Sequence, residues 1–139
     1  HLSLRRQRQM CIRDRTIGYG HGFAITPLHL VKAYASISNK GYEVKPTLIL
    51  NKNNYINNQL LSKSDTSEYF LELLQSVVTK TEFTGPRVKI EGYSIGGKTG
   101  TAMITKKNGG YYKDRDLTSF IGILPIEDPK YLILTIIKL

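Results

Sequence analysis

The sequence predicts an α+β domain, on three observations. Two stretches carry apolar residues at helical spacing between recognisable start and stop signals, residues 26–40 and 65–79. The last third alternates β-branched, apolar runs with glycine and proline turns. Helices come first and strands follow, and such an order favours an antiparallel sheet with helices packed on it over an alternating parallel architecture.

Each element has its own justification. "IGYGHGFAI" (17–25) is a glycine-rich lead-in read as loop. Thr26 is placed to cap the first helix, Pro27 suits its first position, and Gly41 sits where a left-handed residue ends it. Leu28, Val31, Ala35 and Ser38, with Leu30, Tyr34 and Ile37 beside them, make its inward stripe. "VKPTLIL" (44–50) reads as a brief strand with Pro46 near its start, and "NKNNYINNQ" (51–59) as a polar turn region. Asp65 and Glu68 are spaced as a capping box for the second helix, whose apolar faces come from Tyr69, Leu71, Leu73, Leu74, Val77 and Val78. "TEFTGPRVKIEG" (81–92) is a connecting loop broken at Gly85-Pro86. Three strands follow, "YSIGGKTGTAMIT" (93–105), "LTSFIGILPI" (117–126) and "KYLILTIIKL" (130–139). "NGG" turns the chain after the first, and Pro125 and Pro129 bracket a turn returning the third strand antiparallel to the second.

Composition narrows the function. The 139 residues are 40% apolar and 22% charged, a globular balance for one domain or part of one. The longest apolar run, Tyr131 to Ile137, is too short to span a bilayer, and no secretory leader is visible. A lone cysteine, Cys11, excludes an internal disulfide. The net charge of +9 is uneven: residues 1–15 hold five arginines against Asp14, a net +4, and only Arg87 and Arg115 follow. That abrupt change in usage marks 1–15 as a non-native leader, with a basic arm as the alternative. No basic stripe interleaved with aromatics occurs beyond it, so nucleic-acid binding is not expected. His21 and His29 lack companions at metal-ligand spacing, so no metal site is expected.

"GYSIGGKTGTAMI" (92–104) carries the chemistry, and its lysine has two readings. Gly92, Gly97, Lys98 and Thr99 spell the phosphate-binding loop G-x-x-x-x-G-K-[ST], which requires a helix to start at the lysine. Gly100 and the β-branched residues after it favour an extended chain instead, and no later strand ends in a magnesium-binding aspartate. Nucleotide binding is therefore the remote alternative. On a strand, Lys98 and Gly100 face one way, Thr99 and Thr101 the other. Lys98 then brings an ammonium to a reacting hydroxyl, and Thr99 offers a hydroxyl to a carboxylate. Gly100 leaves room for a substrate backbone, and the Thr101 N–H faces a developing oxyanion.

Together with "IGYGHGFAITPLHLVKAYASISNKG" and "GGYYKDRDLTSFIGILPIEDPKYLILTII", the K-T-G segment resembles the C-terminal part of the transpeptidase domain of class B penicillin-binding proteins, most of all the septal enzymes of Gram-negative bacteria. The resemblance covers residues 16–139. It implies a partial penicillin-binding-protein/serine β-lactamase-like fold and serine acyl transfer that cross-links peptidoglycan stem peptides in cell-wall synthesis and division. It further implies β-lactam binding, no cofactor, possible divisome partners, and a parent anchored at the periplasmic face of the inner membrane. The implied site residues are Lys98 and Thr101 for catalysis and Lys98, Thr99, Gly100 and Thr101 for substrate.

Two departures qualify the resemblance. No serine here is followed by lysine three positions on, and no S-x-N occurs, so both motifs are expected upstream of residue 16. Phe83-Thr84-Gly85 keeps two residues of the family's G-T-G. The expectation is a fragment cut at both ends, inactive alone. A penicillin-sensing domain and a serine β-lactamase are the alternatives. Of the remaining features, Tyr111 and Tyr112 are expected to pack across the hairpin or lie exposed at its rim, not to contact substrate, and Asp114, Arg115 and Asp116 to form a solvated turn cluster. Phe120 and Gly122 should lie on the strand beside K-T-G, with an ordinary core role expected for the glycine and close packing as the alternative.

Overall fold

The computed structural model describes residues 24–49, 55–61, 64–80, 88, 90–106 and 110–138. The leader, Cys11, His21 and most of loop 81–92 lie outside these residues. Helix α1 spans Pro27–Ser38. Thr26 stays extended and its Oγ1 accepts the His29 N–H at 3.2 Å, the predicted cap. At the far end Lys40 and Gly41 both take positive φ, 55° and 83°. Gly41 is required twice over, since a Cβ there would also stand 2.7 Å from Leu61 Cβ. The stripe differs from expectation at one place: Leu28 is exposed, and the fully buried side chain of α1 is Ser36.

The strand expected at 44–50 lies earlier, as β1 (Tyr42–Val44), because Pro46 lacks an N–H for a ladder. The polar region 51–59 contains β2 (Tyr55–Gln59), antiparallel to β1 with Tyr42 opposite Gln59 and Val44 opposite Tyr55. Glu43 explains how so polar a ribbon is held. Its carboxylate takes the Lys32 ammonium of α1 at 2.5 Å and the Asn58 amide of β2 at 3.0 Å. Ser36 Oγ seals the junction, donating to Lys32 O at 2.9 Å and accepting the Val44 N–H at 3.2 Å.

Helix α2 (Ser64–Thr79) begins one residue before the expected capping box, which puts Asp65 in the first turn, where its charge suits the helix dipole. Its inward face is Ser67, Leu74 and Val78; Ser67 Oγ donates to Ile37 O and ties the helices together. Tyr34 and Phe70 meet edge-to-face at 6.3 Å.

The remaining strands are β3 (Gly96–Thr105), β4 (Tyr111–Leu124) and β5 (Tyr131–Lys138), an antiparallel sheet in the order β3-β4-β5. The expected turn cluster Asp114–Asp116 is instead part of β4. The hairpin runs past the helices there, so charged side chains remain hydrated on a paired strand. Arg115 and Lys106 both lie against the Tyr112 ring, at 4.8 and 5.4 Å from its centroid.

Register sets the two faces of the sheet. Gly96, Lys98 and Gly100 share the inner face with their partners Ile123, Ile121 and Ser119. Ile123 is completely buried and packs with Leu74 of α2 and Ile126 of the β4–β5 turn, ringed by Tyr34, Leu71 and Leu132. On the outer face lie Gly97, Thr99, Thr101 and Met103, with Gly122, Phe120 and Thr118 on β4 and Ile133, Thr135 and Ile137 on β5.

Candidate active site on the edge strand

Lys98, Thr99, Gly100 and Thr101 sit on β3, which pairs with β4 on one side and with no other strand among the described residues. In an antiparallel ladder alternate residues turn both N–H and C=O away from the partner, so β3 directs the backbone groups of alternate residues to its open side. Lys98 and Thr101 are exposed, Thr99 and Gly100 half-buried. The Lys98 ammonium rests on the Thr99 carbonyl at 2.6 Å, donating to its own strand. The backbone stays extended from Gly96 to Thr105, with no helix starting at the lysine. That geometry rules out the phosphate-loop reading, whose N–H groups and helix dipole have no counterpart here.

Gly100 has a neighbour that explains it. A Cβ there would stand 2.7 Å from Ser119 Oγ, which reaches back to Gly100 O at 3.4 Å. Ahead of the lysine two consecutive glycines are enclosed from opposite faces. Gly96 lies against Ile126 and the backbone of α2: a Cβ would fall 2.4 Å from Ile126 Cδ1 and 3.2 Å from Gln75 N. Gly97 is covered by Phe120, whose Cζ a Cβ would meet at 2.5 Å. Gly122, directly opposite Gly97, lies under the same ring, so close packing, the less favoured of the two roles read for it, is what the fold uses there.

The strand's start is also tied to the β4–β5 turn. Ser94 O accepts the Ile126 N–H at 3.1 Å, and Ser94 Oγ donates to the Glu127 carboxylate. That hydrogen bond holds the Glu127 carboxyl below its ordinary range. The sequence reading did not single out Ser94, Glu127 or Ile126. The Gly-Gly pair before K-T-G and the Phe-x-Gly in the next strand were the signal for the glycine packing. His29 Nδ1 pairs with Thr26 Oγ1 at 2.9 Å within the helix cap, and among the described residues no cluster of three metal-ligating side chains occurs.

Solved structures that share this arrangement include penicillin-binding proteins. The transpeptidase domain of Burkholderia pseudomallei penicillin-binding protein 3 superposes with a TM-score of 0.78 at 26% identity, over 88% of this chain and 37% of that one. Penicillin-binding protein 3 of Mycobacterium tuberculosis, complexed with aztreonam, gives 0.75 at 26% identity over 84% and 30%. Residues 5–139 match the penicillin binding protein transpeptidase domain, and the chain belongs to that family. Among curated relatives, a peptidoglycan D,D-transpeptidase FtsI homolog of Mesostigma viride is 33% identical over 148 residues, 91% of this chain and 24% of the relative. Stage V sporulation protein D of Bacillus subtilis is 31% identical over 133 residues, 88% and 20%. The chain thus spans about a quarter or less of these relatives' lengths.

Proposed function

We propose that these residues form the K-T-G side of the active site of a serine D,D-transpeptidase that cross-links peptidoglycan stem peptides. The observation that carries the reading is K-T-G-T lying on a strand with one open edge among the described residues, Lys98 and Thr101 exposed, in a chain of this family. Lys98 supplies positive potential and a donor beside the reacting serine. Thr99 holds the terminal carboxylate of the donor peptide or a β-lactam, and the Thr101 N–H is one arm of the oxyanion hole. The serine attacks the carbonyl, D-alanine leaves, and the acyl group passes to an amine of a second stem peptide. No S-x-x-K occurs in the 139 residues, so the nucleophile belongs to a part of the enzyme they do not contain. The parent works at the outer face of the cytoplasmic membrane, held by an anchor of its own, with division proteins as partners. Residues 1–15 are a non-native leader, which a sequencing read across the codon for Thr16 tests.

The biochemical test is covalent labelling of the full-length protein, read through the source gene, with fluorescent penicillin. Stable stoichiometric labelling is expected, falling about 100-fold or more in rate for Lys98→Ala. An unlabelled wild type overturns the reading, and rapid release of hydrolysed penicillin makes the protein a β-lactamase instead.

A further inference from the structure

Lys98 follows two glycines, the residue type with the widest backbone freedom. A catalytic strand that begins on Gly96-Gly97 has a swivel immediately before its working residues. The fold removes that freedom from both sides. Beneath, Gly96 is seated on Ile126, itself buried in the core, and on the α2 backbone at Gln75. Above, the Phe120 ring lies over Gly97, with Cζ and Cε2 2.5 and 3.0 Å from where its Cβ would be. The same ring covers Gly122, whose Cβ would meet Cε1 at 3.1 Å. Gly97 and Gly122 face each other across the ladder, and Phe120 itself stands opposite Thr99. A side chain on either glycine would displace the ring, so the glycine pair and the aromatic form one device.

We infer that Phe120 is a positioning residue for the acyl-transfer reaction proposed above: its ring, laid over the Gly97–Gly122 pair, fixes the backbone that aims Lys98 and Thr99. It contacts no reacting atom. It acts through the main chain of Gly97, where a displacement of about 1 Å at the reacting groups can cost on the order of 100-fold in rate. Ile126 is the matching lower contact, but it belongs to the core and its loss would confound folding with function. Phe120 is half-buried on the outer face and is the better probe.

The test uses the full-length protein and separates acylation rate from initial affinity for a fluorescent penicillin. Phe120→Leu, which leaves a smaller, non-planar cover, is expected to lower the maximal acylation rate about 10-fold or more, with initial affinity changed less than about threefold. Phe120→Tyr keeps the ring and should restore the rate. Met103→Ala, on the same face beyond the glycine pair, should leave it unchanged. Gly122→Ala should slow acylation through the ring alone, so adding it to Phe120→Leu should produce little further loss. A Phe120→Leu enzyme acylated at the wild-type rate overturns the inference, as does strict additivity of Gly122→Ala and Phe120→Leu. Should the wild type itself not be labelled, the transpeptidase reading falls and this inference with it.

Discussion

Gly96→Ala is the most direct probe of how β3 is seated. The new methyl would lie 2.4 Å from Ile126 Cδ1, 3.0 Å from Ile126 Cγ1 and 3.2 Å from the Gln75 nitrogen. Ile126 is 4% exposed and wedged against Leu74 and Ile123, so it has nowhere to swing. Overpacking a close-packed site costs about 1–3 kcal/mol, and a contact this short, backed by helix backbone, belongs near 2–3 kcal/mol. Ile126→Val removes the offending Cδ1 and alone should cost about 1 kcal/mol. Simple addition puts the pair near 3–4 kcal/mol. If the steric contact is the cause, the double variant should lose only about 2 kcal/mol, a coupling of about 1–2 kcal/mol. Gly92→Ala is the comparison: open space surrounds that Cβ, yet φ is 83°, so the cost is backbone strain of about 1 kcal/mol that no change at Ile126 relieves. Urea denaturation followed by far-UV circular dichroism and tyrosine fluorescence reads all four, since the chain has nine tyrosines and no tryptophan. Additivity of Gly96→Ala with Ile126→Val within about 0.5 kcal/mol would refute the reasoning.

Other consequences follow from the same contacts. Ser36→Ala leaves the Val44 N–H without its acceptor in a buried corner and should cost about 1–3 kcal/mol by the same denaturation assay. Ile123→Ala empties the centre of the core beneath the sheet and should cost about 3–5 kcal/mol, whereas Ile123→Val should cost about 1 kcal/mol. Glu43 has its carboxyl lowered below 4.5, first by the Lys32 hydrogen bond and then by Asn58. A depressed acid stabilises the fold above its unfolded value, and that contribution disappears as pH falls through the lowered folded value. Wild type and Glu43→Gln should therefore differ at neutral pH and converge in an acid titration as pH falls through that lowered folded value.

Much of the architecture was legible because local and global signals agreed. Helix α1 announced itself through Thr26 and Pro27, which do the expected work, while the left-handed residue next to the Asn39 cap is Lys40, one position before the expected Gly41, which takes positive φ as well. The last three strands were visible in their β-branched runs, and the prolines around Ile126 marked the antiparallel return. Strand β2 was hidden because "YINNQ" has a turn's composition; what makes it a strand is pairing with β1 and the Glu43–Asn58 contact, neither of which periodicity reports. The charged opening of β4 misled for a related reason: a hairpin wetted on both faces tolerates residues that a half-buried strand excludes. At the site, K-T-G and its neighbours Phe120 and Gly122 could be placed from sequence. The Ser94–Glu127 tie could not, since it joins residues 33 apart whose types fit any loop.

One further property is written into β5. Tyr131, Ile133 and Ile137 project from the outer face at 66%, 56% and 52% exposure. Among the described residues the strand's other edge has no partner. "YLILTII" has high β propensity and no charge until Lys138 closes it, the composition of segments that stack with copies of themselves. Anyone preparing these residues alone at high concentration, as an antigen or a screening reagent, therefore has this face and this edge to guard. A charged residue at Ile133 or Ile137, or a solubilising fusion partner, would act as the gatekeeper that the strand itself carries only at its end.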